Sequence, residues 1–114
     1  MIKIEIQRQN NRITYFKIKG HADFSGFGED VICAAVSSVG QMTINGLIET
    51  LKLQEKLEYV EKDGLITCDL KESELTDEEL EKADILIESM YSYLKAVARS
   101  YSEFVRLEEK IEKK

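Results

Sequence analysis

The chain opens on an alternation. Ile2, Ile4 and Ile6 are interleaved with Lys3, Glu5 and Gln7, a period of two that predicts a strand with one apolar face. Asn10-Asn11 follows, two residues that tolerate positive φ, so a hairpin is expected there. The returning arm, Ile13 to Lys19, sets Phe16 and Ile18 on one face and Lys17 and Lys19 on the other, and Gly20-His21 ends it. Residues 22–30, ADFSGFGED, have no period, and with Gly26 and Gly28 they read as a mobile surface loop.

From Val31 the period lengthens. VICAAVSSVGQMTINGLIETLK places Val36, Val39, Thr43 and Leu47 at helical spacing, with Asp30 as the expected N-cap. Gly40 and Gly46 each cost about 1 kcal/mol relative to alanine in an exposed helix, so they imply close approach of a neighbouring element. This helix is expected to be buried on most sides. Leu57 to Lys62 and Leu65 to Leu70 flank Asp63-Gly64, the strongest short hairpin signal in the chain, and Ile66, Cys68 and Leu70 share one face of the second arm.

Beyond the second hairpin, Thr76 to Glu79 fits a capping box, with Leu75 and Leu80 as its hydrophobic staple. Ala83, Ile87, Met90, Leu94, Val97, Tyr101 and Phe104 then follow alternating helical spacings of four and three. The stripe predicts one long helix, or two in close succession, packed on its own sheet or in an intermolecular coiled coil. The polar tail EEKIEKK is expected to fray. The element order is thus ββαββα. It predicts an α+β fold, a two-layer sandwich in which a small sheet carries helices packed on one face.

Composition narrows the class. A chain of 114 residues fits one domain, 1–114, and 43% hydrophobic residues suffice for a core without staples. Two cysteines and one histidine exclude a disulfide framework. They also exclude a four-ligand Cys/His zinc site, unless carboxylates fill the missing positions. The apolar runs fall short of the roughly 18–20 residues that span a bilayer, so no membrane partner is expected. No basic segment followed by an apolar one opens the chain, so the expected home is the cytoplasm, with reduced thiols. Twenty-two acids against sixteen bases give a net charge of −6, which disfavours a phosphate backbone and suits a basic partner.

The reactive groups concentrate between residues 20 and 37. His21 closes the second strand, and Cys33 lies twelve residues later, in the expected first turn of the apolar helix. Free amides and the positive end of the helix dipole favour a thiolate there. A neighbouring imidazole would act as general base or as its ion-pair partner, and the same amides can stabilise an oxyanion. Each residue also has a plain reading. A cysteine in an apolar helix often serves as a small core residue, and a histidine at a strand end as an ordinary surface group. Cys68 fits the core role. The segment GFGED lacks the Gly-Lys-Ser/Thr of a phosphate loop, and His21, Cys33, Asp23 and Asp30 match no common metal spacing, so neither metal nor cofactor is expected.

Gly20-His21-Ala22, Phe24-Ser25, and the run Gly28-Glu29-Asp30-Val31-Ile32-Cys33-Ala34-Ala35-Val36-Ser37 together resemble the ribosomal-processing cysteine protease family, Prp. The resemblance implies a cysteine endopeptidase that removes a short N-terminal extension from a large-subunit ribosomal protein of the bL27 type, cutting after a pair of phenylalanines. It implies Cys33 as nucleophile and His21 as general base, and it implies a homodimer. Asp30 and Ser37 stand where the family has its other polar motif residues. Asp30 either caps the helix or orients the histidine; Ser37 either lines the pocket or hydrogen-bonds near the thiol. The loop Phe24, Ser25, Gly26, Phe27 and Gly28 either closes over the peptide, its aromatics on a substrate side chain, or anchors itself. The alternative function is a non-catalytic, ribosome-associated peptide-binding module. A metal-dependent hydrolase using His21 and nearby carboxylates is a third alternative.

Overall fold

The computed structural model describes residues 1–20 and 29–112, with the backbone alone for Glu29 and Asp30. The loop from His21 to Gly28 therefore lies outside the described residues. Strands β1 (Ile2–Gln9) and β2 (Arg12–Lys19) form the first hairpin, α1 (Glu29–Asn45) runs into a π-helical turn (Gly46–Thr50), and β3 (Glu58–Lys62) and β4 (Leu65–Asp69) form the second hairpin. Helix α2 (Asp77–Ser100) and strand β5 (Val105–Glu112) complete the order. The result is the expected α+β arrangement, with one strand more than the sequence reading gave.

The sheet order is β3-β4-β2-β1-β5. The first hairpin turns through Asn10 and Asn11, both at positive φ (55° and 64°), as the twist of a two-residue hairpin demands. The second hairpin docks through its later arm: β4 pairs antiparallel with β2, setting Phe16 opposite Cys68 and Ile18 opposite Ile66. Strand alternation then gathers Ile2, Ile4, Ile6, Phe16, Ile18, Ile66 and Cys68 on one buried face, and both helices cover that face. Gly40 lets α1 sit close. A Cβ there would lie 2.8 Å from Ile18 Cδ1 and 3.0 Å from Ile66 Cδ1, which is the close approach the sequence implied.

Four expectations need correction. First, α2 ends at Ser100 rather than running to Phe104, and residues 105–112 do not fray. They pair in parallel with β1, Ile2 opposite Val105 through Gln9 opposite Glu112, and the Ile2 amide donates to the Phe104 carbonyl at 2.8 Å. The helical stripe continues in sequence through Tyr101 and Phe104, but the free edge of β1 offers the chain a ladder that a frayed tail lacks.

Second, α1 begins at Glu29, so Asp30 lies within the first turn and is not the N-cap, and Cys33 is the fifth helical residue. Third, α1 is one-sided rather than buried on most sides: Val36, Thr43 and Ile44 are buried, whereas Met42 is 67% exposed. Fourth, Val31–Thr50 is one stretch of 20 residues long and apolar enough, by length and composition alone, to cross a membrane. Its apolar stripe is used here against the sheet. The α2 entrance matches expectation, with the Glu79 amide donating to Thr76 Oγ1 at 3.2 Å and the Thr76 amide to Glu79 Oε1 at 2.9 Å.

Candidate active site

Cys33 is a half-buried free cysteine on α1, packed against the edge of the core. As the fifth helical residue it already takes part in the backbone ladder through its own amide. Helical side chains lean toward the N-terminus, so a side chain at this position covers the first turn of α1. Cys68 stands apart. It is fully buried in β4 between the sheet and the helices, and burial, followed by the neighbouring Asp69 charge, pushes its thiol up to about 12. The core role expected for Cys68 agrees with both facts.

On the opposite side of the loop, the end of β2 is fixed by Gly20. Its φ of 142° lies in the region reserved for glycine, and a Cβ would fall 2.7 Å from the Met1 carbonyl oxygen. Its amide donates to the Gly64 carbonyl at 3.1 Å, which ties the tip of the second hairpin to the residue just before His21. This bond was invisible in the sequence. Asp63-Gly64 signalled a turn, and nothing in it signalled where the turn would dock.

A groove of about 760 Å³ runs between α1 and the second hairpin. Gly20 and Ser37 both line it, so the backbone beside His21 and the residue one turn beyond Cys33 face one space. Ser37 is half-buried, and among the described residues its side chain has no hydrogen-bond partner. His21, Phe24, Ser25, Gly26, Phe27 and Gly28 lie outside the described residues, and so does the side chain of Asp30. Among the described residues no group of three or more His, Cys, Asp or Glu side chains is arranged to hold a metal ion.

A family model described as cysteine protease Prp matches residues 1–106. The ribosomal processing cysteine protease Prp of Bacillus subtilis is 32% identical over 108 residues, covering 94% of this chain and 96% of that protein. Among solved structures, SMU.848 from Streptococcus mutans superposes with a TM-score of 0.77 at 28% identity, covering 98% and 96% of the two chains. An essential ribosomal processing protease Prp from S. aureus, in complex with a substrate peptide, gives 0.76 at 24% identity, covering 96% of this chain and 100% of that one.

A small mixed sheet carrying two helices, with a half-buried cysteine near the start of the first, is here the frame of a cysteine protease. The chain belongs to the cysteine protease Prp family. That membership sets aside the non-catalytic binding module.

Proposed function

We propose that this protease removes the short N-terminal extension of a large-subunit ribosomal protein of the bL27 type, with Cys33 as nucleophile and His21 as general base. The Cys33 thiolate attacks the scissile carbonyl, and the tetrahedral oxyanion is stabilised by backbone N–H donors beside the thiol. His21 takes the thiol proton and passes it to the departing amine. The thioester left on Cys33 is hydrolysed by water, for which His21 again serves as base.

The observation that carries the reading is the shared groove, into which both Gly20 and Ser37 open. The peptide-bound S. aureus relative, and a second structure of it with a covalently linked product peptide, support a peptide substrate and a covalent step. In the same reading Asp30 orients His21 or secures the first turn of α1, and Ser37 lines the pocket beside the thiol. Residues 24–28, with Phe24 and Phe27, close over an aromatic substrate side chain. The protein acts in the cytoplasm, during ribosome biogenesis, as a homodimer of one-domain chains.

The test is incubation with a peptide carrying the host protein's own extension, read by mass spectrometry, with wild type, Cys33→Ala and His21→Ala run in parallel. The expected result is a single cut after the aromatic pair, made by wild type alone. A cut by Cys33→Ala at the parent rate would remove the nucleophile assignment, and a cut by His21→Ala at that rate would remove the base.

A further inference from the structure

The groove extends well past the residues that flank the reaction. Along α1 its wall is formed by Ser37, Ser38, Gln41, Met42 and Asn45, positions i, i+1, i+4, i+5 and i+8 of one helical stripe. Cys33 is the preceding member of that stripe, one turn before Ser37. From Cys33 to Asn45 the helix rises about 18 Å, the length of about five residues of extended chain. The sheet side of the trough is apolar where Ile18 and Ile66 reach it, and the helix side offers the hydroxyl and amide groups of Ser38, Gln41 and Asn45. An extended peptide needs both: a surface for alternate side chains and partners for its backbone.

At the far side the trough turns acidic. Glu61 in β3 pairs with Ile66, so strand alternation points it to the helix side of the sheet, and Asp63 follows at the hairpin turn. Lys62 also borders the groove, but it pairs with Leu65 and alternates to the opposite face. Among the described residues neither the Glu61 nor the Asp63 side chain has a hydrogen-bond or ion-pair partner. Ile66 lies under Gly40, Glu61 is its neighbour across the strand pair, and Glu61 and Gln41 line the same groove. Gln41 is about 12 Å along the helix from Cys33, or three to four extended residues.

The geometry points to a charge-reading subsite: the trough between α1 and the second hairpin holds the substrate on one side of the cut, and Glu61 selects a lysine or arginine three or four residues from the scissile bond. This rests on the proteolytic reading of Cys33 given above and adds the substrate class that its groove prefers. A net charge of −6 draws the same kind of peptide toward the enzyme before it docks.

The test uses a set of peptides built on the extension sequence, with lysine or glutamate placed in turn at the second to fifth positions on each side of the cut. Wild type and Glu61→Lys are compared by KM and kcat, and both are checked for an unchanged melting curve. Wild type is expected to favour lysine over glutamate about 3- to 10-fold in KM, at one position three or four residues from the cut, with kcat little changed. Glu61→Lys is expected to reverse the preference at that position only. A preference unaltered by Glu61→Lys, or a loss that ignores the peptide's charge, would overturn the subsite. The same peptides are then titrated into the uncleaving Cys33→Ala protein while amide shifts are followed by NMR. Charge-dependent shifts at Gln41, Asn45 and Ile66 support the trough, and their absence overturns it. If wild type cuts none of the peptides while those shifts appear, the trough stands and the proteolytic assignment of Cys33 fails.

Discussion

The amide of Gly20 donates to the carbonyl of Gly64 at 3.1 Å, joining the end of β2 to the tip of the second hairpin. The bond fixes the backbone immediately before His21 against a turn more than forty residues further along the chain. It forms only because Gly20 holds φ at 142° with no side chain in the way of Met1.

Gly20→Ala is therefore expected to lose about 1–3 kcal/mol of stability, from positive φ and from contact with the Met1 carbonyl. Urea denaturation measures the stability loss, and peptide cleavage is expected to fall with it. An alanine variant as stable and active as wild type would show that the β2 end relaxes freely.

The two thiols are expected to differ sharply toward iodoacetamide. Cys33 is half-buried, whereas Cys68 is fully buried with its thiol pushed up to about 12. In the folded protein only Cys33 is alkylated, and Cys68 reacts after unfolding in guanidinium. Peptide mapping by mass spectrometry reads both sites. Equal labelling of the native protein would contradict the burial of β4.

Asp84 on α2 carries a carboxylate oxygen that is buried without a hydrogen-bond partner, and burial together with the Glu88 charge raises its pKa. A carboxyl whose folded pKa is raised opposes folding when ionised, and the penalty fades as pH falls through that pKa. Asp84→Ala also adds a strong helix former, so a gain of about 1 kcal/mol is expected at pH 7 and less at pH 4. Thermal melts at the two pH values provide the check. A gain that grows toward acid pH would reverse the assigned cause.

Arg8 links three elements. It donates two bonds to Glu88 on α2, at 2.6 and 2.9 Å, and one to Glu109 on β5 at 2.8 Å. The Tyr91 hydroxyl donates to the same Glu109, and that bond, with Arg8, holds the Glu109 carboxyl below its ordinary range. Its contribution is present above the ordinary glutamate pKa and lost as pH falls through the lowered value. Wild type should therefore lose stability more steeply than Glu109→Gln as pH drops below about 4.5. Parallel slopes would show that the pair contributes nothing.

The tail offers the plainest check of topology. If 105–112 is a strand, Val105 is a core residue at 2% exposure, and Val105→Asp costs about 3 kcal/mol or more. Hydrogen exchange of wild type should show slowed amides where β5 pairs with β1. Exchange at the rate of free peptide across the whole segment would restore the frayed tail.

Much of this protein was legible one element at a time. Ile2, Ile4 and Ile6 announced a half-buried strand, Asn10-Asn11 and Asp63-Gly64 announced their turns, and Thr76 with Glu79 announced the start of α2, because each signal resides in neighbouring residues. Gly40 announced close packing without naming its partners, Ile18 and Ile66. The C-terminal strand was misread for the same reason. Tyr101 and Phe104 keep a helical spacing, and the advantage of strand over helix lies in the free edge of β1, about a hundred residues away.

The site divides along the same line. Gly-His at a strand end and Cys-Ala-Ala-Val-Ser in an apolar helix carried the family resemblance, since a nucleophile and its base require particular residue types in order. The trough beyond them was silent in sequence. Its walls come from α1 and from a hairpin whose place in the sheet depends on β4 pairing with β2 through Phe16–Cys68 and Ile18–Ile66. Local chemistry announced most of the elements and the candidate residues Cys33 and His21, because those signals lie between neighbours in the chain; only long-range strand pairing and the packing of α1 through Gly40 decided that Gly20 and Ser37 line one space.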